Sequence, residues 1–303
     1  MEMHLQSTIM KHASNRDKIL KFLPLISQLL TFVTFQIFLI PEEFSVLNFT
    51  FVFPNMKSNK LVIIPTFNEK ENIQDLIVEV MALPEIFDLL VIDDGSPDGT
   101  STLVKEMQED FAERVSLIER KGKLGLGTAY LEGFAYALKE GYEYIFEMDA
   151  DFSHNPQDLS LLYTAAKNGN HDMVIGSRYV SGVNVVNWPM GRVLMSFFAS
   201  KYVQFITGIP IKDTTAGFVC YHRKVLAAIP LDKVKFIGYA FQIEMKFTAW
   251  KMGFDILEMP IIFTDRTRGT SKMSKHIFRE AILGVLYMKA KSLIKKPRRL
   301  NQI

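Results

Sequence analysis

The sequence predicts an α/β layered domain built on a mostly parallel sheet, and three observations carry that prediction. From Met56 onward short apolar runs alternate with stretches of helical periodicity. Each apolar run closes on a polar turn containing acids, glycine, proline or serine. The chain has 303 residues, 48% of them hydrophobic, enough for one large core or two small ones.

The first 55 residues read as a separate apolar extension. Leu23 to Ile40 is an uncharged run of roughly 18 residues, the lower end for a membrane-crossing helix. Lys11, Arg16, Lys18 and Lys21 precede it, and Glu42 and Glu43 follow. The positive-inside rule would keep the amino terminus cytoplasmic and send the rest across the membrane. No small-x-small cleavage site follows the run, which argues against a signal peptide.

Residues 57–270 form the predicted α/β domain. "KLVIIPTFNE" is the first strand and its turn; "KENIQDLIVEVMAL" places Ile73, Leu76, Ile77 and Val80 at helical spacing. "FDLLVIDDGSPDGT" is a second buried strand and turn, Ser101 to Phe111 a helix, and "RVSLIER" a third strand. "GTAYLEGFAYALKEG" is a helix stopped at Gly141. "YEYIFEMDAD" and "HDMVIGSRY" are the fourth and fifth strands. Residues 271–303 form an amphipathic helix with Phe278, Ile282, Val285 and Met288 on its apolar side and a basic tail through Arg299. It fits a helix docked on the domain and a membrane-surface helix equally well.

Charge and cysteine content narrow the function. A net charge of +2 is too near neutral to argue for a nucleic-acid partner. The single cysteine, Cys220, excludes an intramolecular disulfide framework and a multi-cysteine zinc site.

The chemistry gathers at the strand ends. In open α/β sheets ligands bind beyond the carboxyl ends of the strands, where Asp93, Asp94, Asp149 and Asp151 fall. Asp149 and Asp151, one residue apart, repel unless a hard divalent cation lies between them; a solvated turn is the plainer reading. "DDGSPDG" can likewise be a turn or a ribose- and base-binding loop. "KGKLGLGTAY" is not a Walker A loop, because Leu124 stands where Ser or Thr is required. Its glycines let backbone approach either a ligand or a neighbouring strand. Arg178, Arg192, Arg266 and Arg268 suit phosphate oxygens, although each alone also fits a structural ion pair.

In order, "VIIPTFNEKENI", "VIDDGSPDGT", "KLGLGTAY", "MDADFSHNP", "GSRY", "GYAFQIEM" and "DRTRGTSK" resemble the polyprenol-phosphate (dolichol-phosphate) mannose synthases, family 2 glycosyltransferases of GT-A fold. The resemblance runs from Lys57 to Lys275 and implies inverting transfer of mannose from GDP-mannose to a polyprenyl or dolichyl monophosphate. It implies that Pro65, Phe67, Glu69 and Asp94 line the nucleotide-sugar pocket, and that Asp149 and Asp151 hold Mg2+ or Mn2+. Arg178, Arg192, Arg266 and Ser196 match residues that grip phosphates, and Gln242 and Glu244 lie in a stretch near the site. Some members carry a glutamine metal ligand where Ser153 stands, so a hydroxyl or water would take that place. The Gln-x-x-Arg-Trp motif of processive relatives is missing from the sequence, in keeping with transfer of a single sugar. Protein partners are not specified.

Nucleotide sugars are cytosolic, so an inserted Leu23–Ile40 helix would put the domain on the wrong side. The expectation is therefore that residues 1–55 lie upstream of a start at Met56, and that the enzyme is cytoplasmic and peripheral on the cytoplasmic face. The competing reading is an authentic amino-terminal anchor. Other functions remain open: a UDP-glucose donor, a non-catalytic nucleotide-sugar-binding membrane scaffold, and an aspartate-nucleophile phosphotransferase. The last normally carries its acids on the first strand, whereas Asp149 ends the fourth.

Overall fold

The apolar runs form strands where the pattern places them. In the computed structural model, β1 (Lys60–Thr66), β2 (Asp88–Asp93), β3 (Val115–Glu119) and β4 (Tyr144–Glu147) pair in parallel in the order β3–β2–β1–β4. The structure describes residues 58–266, Arg268 and residues 276–294. The Leu23–Ile40 run, the expected start at Met56 and the basic tail at Lys295–Arg299 lie outside the described residues.

Helices α1 (Ile73–Met81), α2 (Thr100–Asp110), α3 (Leu126–Glu140) and α4 (Asp158–Asn168) connect and flank these strands. Gly141, at φ 86°, takes the left-handed position that ends α3. The second half adds β5 (Met173–Ser177), β6 (Val185–Val186), α5 (Met190–Thr207), β7 (Val219–His222), α6 (Arg223–Ala228) and α7 (Tyr239–Met252). It closes with β8 (Ile256–Pro260), β9 (Phe263–Thr264) and α8 (His276–Ile294). Among the described residues the main sheet has seven strands, β3–β2–β1–β4–β7–β5–β8. β7 runs antiparallel between β4 and β5, and β6 and β9 form a small parallel ribbon.

Continuous apolar runs arise because both sheet faces are covered. On β1, Leu61 and Ile63 pack in one core with Tyr130 and Phe134 of α3 and Phe241 and Met245 of α7. Val62 and Ile64 point the other way, into a core with Ile73, Leu76, Ile77 and Val80 of α1 and Leu159 and Leu162 of α4. Each such residue, fully buried, contributes about 1.5–3 kcal/mol. Cys220 lies in the second core, where burial pushes its thiol well above the usual range, so it is an apolar filler.

Two details differ from or sharpen the sequence reading. On α8, Val285 and Met288 are buried, but Ile282 is 51% exposed. The packed face of α8 is turned by Gly284, which abuts the Phe236 ring, and by the Tyr202 hydroxyl donating to the Ile282 carbonyl at 3.1 Å. In the glycine-rich loop, the Gly127 amide donates to the Ile237 carbonyl at 2.8 Å. A Cβ at Gly127 would lie 2.9 Å from the Ile237 Cα. The glycine there serves a neighbouring backbone segment.

Candidate active site

The crevice forms where the sheet winding reverses: from β1 the chain runs outward through β2 to β3, then returns to place β4 on the other side of β1. The turn after β4 carries the aspartate pair. Asp151 Oδ1 accepts from the Ser153 amide at 3.1 Å and the Ser153 hydroxyl at 2.6 Å, closing a tight turn. Phe152, between them, sits at φ 59°, a left-handed conformation that a bulky residue adopts only under constraint. The Asp149 amide donates to Nδ1 of buried His154, whose ring stacks on Phe218 at 4.8 Å. Ser153 therefore supports the Asp151 carboxylate in this arrangement.

Electrostatics mark the pair as short of positive charge. Burial on the cleft floor, and then the charge of Asp151, push the Asp149 carboxyl up to about 7; Arg266 and Arg178 act in the opposite sense. Asp149 nevertheless keeps a solvent-facing side, its side chain being 37% exposed. The Arg266 guanidinium bonds Asp151 at 2.6 Å and lies 4.0 Å from Glu69, which Asn72 steadies at 3.0 Å. Two hard carboxylates, one reachable from solvent, suit a hard divalent cation. No group of three or more His, Cys, Asp or Glu side chains placed to hold a metal occurs among the described residues. Further ligands to such an ion would come from water or a phosphate.

The other expected phosphate-binding residues surround this point. The β6–β9 ribbon brings Asp265 and Arg266 against the aspartate turn, with the Thr264 amide on the Ser153 carbonyl at 3.2 Å. Arg192, in the first turn of α5, bonds Asp265 at 2.7 Å and stacks over Trp188 at 4.2 Å. Ser196, one turn later, is half-buried. Arg178, at the end of β5, is buried; its Nε and Nη2 each bond Asp213 at 2.7 Å, and Nη2 bonds Thr215 at 2.8 Å. Arg268 bonds Asp75 at 2.8 Å and lines one cavity with Asn72 and Phe152.

On the far side of β1, Pro65 and Phe67 are half-buried and the Lys123 ammonium lies 5.0 Å over the Phe67 ring. Asp93 and Asp94 separate into two roles. Asp93 accepts from Thr66 at 2.9 Å and the Ser96 amide at 2.8 Å, so it ties the turn. Asp94 pairs with buried Arg120, which also bonds Thr128 at 2.7 Å. Gln242 and Glu244 point to different tasks. Gln242 accepts from Lys246 at 3.0 Å, while Glu244 accepts the Lys235 and Phe236 amides at 2.9 and 3.2 Å.

Sequence reasoning missed Arg120, His154, Asp213 and Lys246. His154 stands inside the aspartate motif and could have been read as its neighbour. Arg120, Asp213 and Lys246 have no local signature, because their partners lie far away in the chain.

Comparison with known proteins agrees with this geometry. Residues 61–229 match the family described as Glycosyl transferase family 2. The chain is 47% identical over 226 residues to a polyprenol monophosphomannose synthase of Mycolicibacterium smegmatis, covering 74% of this chain and 84% of that protein. It is 42% identical over 226 residues to an undecaprenyl-phosphate mannosyltransferase of Micrococcus luteus, covering 74% and 91% respectively. Its fold resembles glucosyl-3-phosphoglycerate synthase of Mycobacterium tuberculosis solved with Mn2+ and UDP, at TM-score 0.55 and 16% identity, covering 76% of this chain and 79% of that one. A mannosyltransferase from Pyrobaculum calidifontis solved with GDP-Man and Mn2+ aligns at TM-score 0.50 and 20% identity, covering 78% and 64%. The sheet, the crevice and these matches together establish the chain as a glycosyltransferase belonging to glycosyl transferase family 2.

Proposed function

We propose that the protein transfers mannose from GDP-mannose to a polyprenyl monophosphate, inverting the anomeric centre. The observation that carries this reading is the convergence of Asp149, Asp151 and Glu69 with Arg266, beside Arg192 and Ser196, at one crevice. The two mannosyltransferase relatives, named for polyprenol and undecaprenyl-phosphate acceptors, support mannose and a lipid phosphate. The P. calidifontis protein, solved with GDP-Man and Mn2+, supports the donor and a divalent ion more weakly.

An acceptor phosphate oxygen is already ionised near neutral pH, so attack needs no strong general base. The oxygen forms a bond to the anomeric carbon as the bond to the nucleoside diphosphate breaks, and the leaving diphosphate keeps the electron pair. A divalent ion at Asp149 and Asp151 would supply positive charge to that diphosphate. Arg192 and Arg266 offset repulsion between the two phosphate-bearing substrates and hold the acceptor in line. For Arg266 this means exchanging Asp151 for phosphate as substrates and cation enter. Arg178, fixed on Asp213, shapes the wall and contributes field.

The enzyme works as a peripheral protein on the cytoplasmic membrane face. Among the described residues no helix is long and apolar enough to cross a membrane. On α5, Met190, Leu194, Phe198 and Phe205 are exposed and fall within about 80° of one another at 100° per residue. Phe198 is 61% and Phe205 86% exposed. Ser200, Val203 and Thr207 take the buried side, so an apolar stripe faces outward from the helix that carries Arg192. Exposed Leu283, Leu286 and Leu293 of α8 extend the apolar character.

A donor screen tests the function directly: polyprenyl phosphate, Mg2+ or Mn2+, and GDP-mannose, UDP-glucose or other sugar nucleotides. Mannosyl lipid from GDP-mannose is the expected product. Turnover of UDP-glucose alone would reassign the donor, and donor binding without product would make the protein a non-catalytic binder.

A further inference from the structure

Beneath the aspartate pair lies a lysine that the chemistry above does not use. Lys246 on α7 is fully buried, and its Nζ donates to the Ala216 carbonyl at 2.6 Å, Gln242 Oε1 at 3.0 Å and the Gln242 carbonyl at 3.3 Å. A buried ammonium is costly unless charge and hydrogen bonds offset its lost hydration. Here Asp213, fully buried, supplies opposing charge, and Glu147, two residues before Asp149, is also fully buried, its carboxyl pushed up to about 8 by that burial. Burial draws the Lys246 ammonium down to about 8, against the pull of those two carboxylates. Tyr221 and the Gln242 amide stand next to the Glu147 carboxylate. An isosteric apolar side chain would fill this position at lower cost.

What the ammonium touches gives it a task. Ala216 lies in the segment Asp213–Gly217, which does two jobs for the site. At its start, Asp213 accepts the Arg178 amide at 3.0 Å and its guanidinium at 2.7 Å. At its end, Gly217 faces the other carboxylate, and a Cβ there would sit 3.8 Å from Asp149 Oδ2. The same segment leads into β7, where Val219 is paired with Glu147. Lys246 thus grips the middle of a short span that holds Arg178 at one end and walls Asp149 at the other.

We propose that Lys246 is a positioning residue: through the Ala216 carbonyl it fixes the Asp213–Gly217 segment, and so the spacing of Arg178 and Asp149. The catalytic consequence rests on the glycosyl-transfer reading of the site. The displacement that Lys246 prevents is small, yet a misplacement of about 1 Å can cost on the order of 100-fold in rate.

The test uses the full chain and three variants: Lys246→Gln, which keeps a donor for the Ala216 carbonyl; Lys246→Met, which keeps only shape; and Lys246→Met with Glu147→Gln, which removes both buried ionisable groups. Thermal melting is read beside kcat and KM, with whichever sugar nucleotide the wild type turns over. The expected result is that the double variant melts near wild type, keeps its donor KM within about 3-fold and loses about 10–100-fold in kcat. Lys246→Gln should retain more kcat than Lys246→Met. A double variant with wild-type melting and wild-type kcat would show that the lysine only balances charge, and would overturn the proposal. Loss of fold in all three variants would assign Lys246 to stability alone and would overturn it equally. Should the wild type turn over no sugar nucleotide, the functional reading fails first; the segment is then read by hydrogen exchange at the Gly217 and Val219 amides, which Lys246→Gln should slow relative to Lys246→Met. Equal exchange in those two variants would again overturn the positioning role.

Discussion

Asp151 has two partners to satisfy, the Arg266 guanidinium and, in the proposed reaction, a cation. Asp151→Ala should therefore nearly abolish transfer while binding of the lipid phosphate survives; near-normal metal-dependent rates in a product assay would sink the metal-pair assignment. Asp213 makes a different prediction. Burial pushes its carboxyl up, but the Arg178 charge and its hydrogen bonds outweigh that and hold it below its ordinary 3.8. A carboxyl depressed on folding stabilises the native state above its unfolded value, and that stability disappears as pH falls through the folded value. Melting temperature should thus drop as pH is lowered below about 4. Asp213→Asn should lose about 3–5 kcal/mol at neutral pH, because Arg178 is left buried without its counter-charge, and its melting should depend less on acid. Urea titrations of both proteins at two pH values check the sign. At this scale the sequence displays the acids but not their division of labour. Asp93 and Asp94 are adjacent letters, and only the distant partners Thr66 and Arg120 separate turn-maker from pocket wall.

Elements are most readable where periodicity and burial agree. Helix α1 buries Ile73, Leu76, Ile77 and Val80, the residues its spacing selects. Strand β7 is hard to see in the sequence because Val219–His222 is short and its role depends on insertion between two strands distant in the chain. The face of α8 departs from the periodic one at Ile282 because packing against Phe236 and Tyr202 sets its rotation, and neither contact is local. The start of α3 offers a clean test. Gly127→Ala would drive a methyl into the Ile237 Cα and Phe236 carbonyl, backbone atoms that cannot swing aside. A loss of about 1–3 kcal/mol is expected, and chemical denaturation with wild-type stability would refute this close approach. Helix α5 gives a second one. Phe198→Ser with Phe205→Ser touches exposed residues, so stability should stay within about 0.5 kcal/mol. Each phenyl ring burying in lipid contributes about 1.5–3 kcal/mol, so sedimentation with phospholipid vesicles should fall by roughly 100-fold or more. Unchanged sedimentation would remove α5 from the membrane contact.

For the whole molecule, alternation of strand and helix is enough to state the fold class, because a two-faced sheet imposes its pattern on every run it contains. The relative order of strands is not readable, since pairing is decided by which faces fit. That order has a kinetic consequence. β1, β2 and β3 pair with strands consecutive in the chain, whereas Val62 of β1 must wait for Phe146 of β4, Phe146 for Cys220, and Met173 for Tyr221. Long-range pairing closes slowly, because loop entropy is lost before contacts repay it. On a ribosome the crevice would have one wall long before it had the other. Pulse-labelled hydrogen exchange during refolding should find the β1–β3 amides protected ahead of β7, with the site completed last by the strand that runs against the rest.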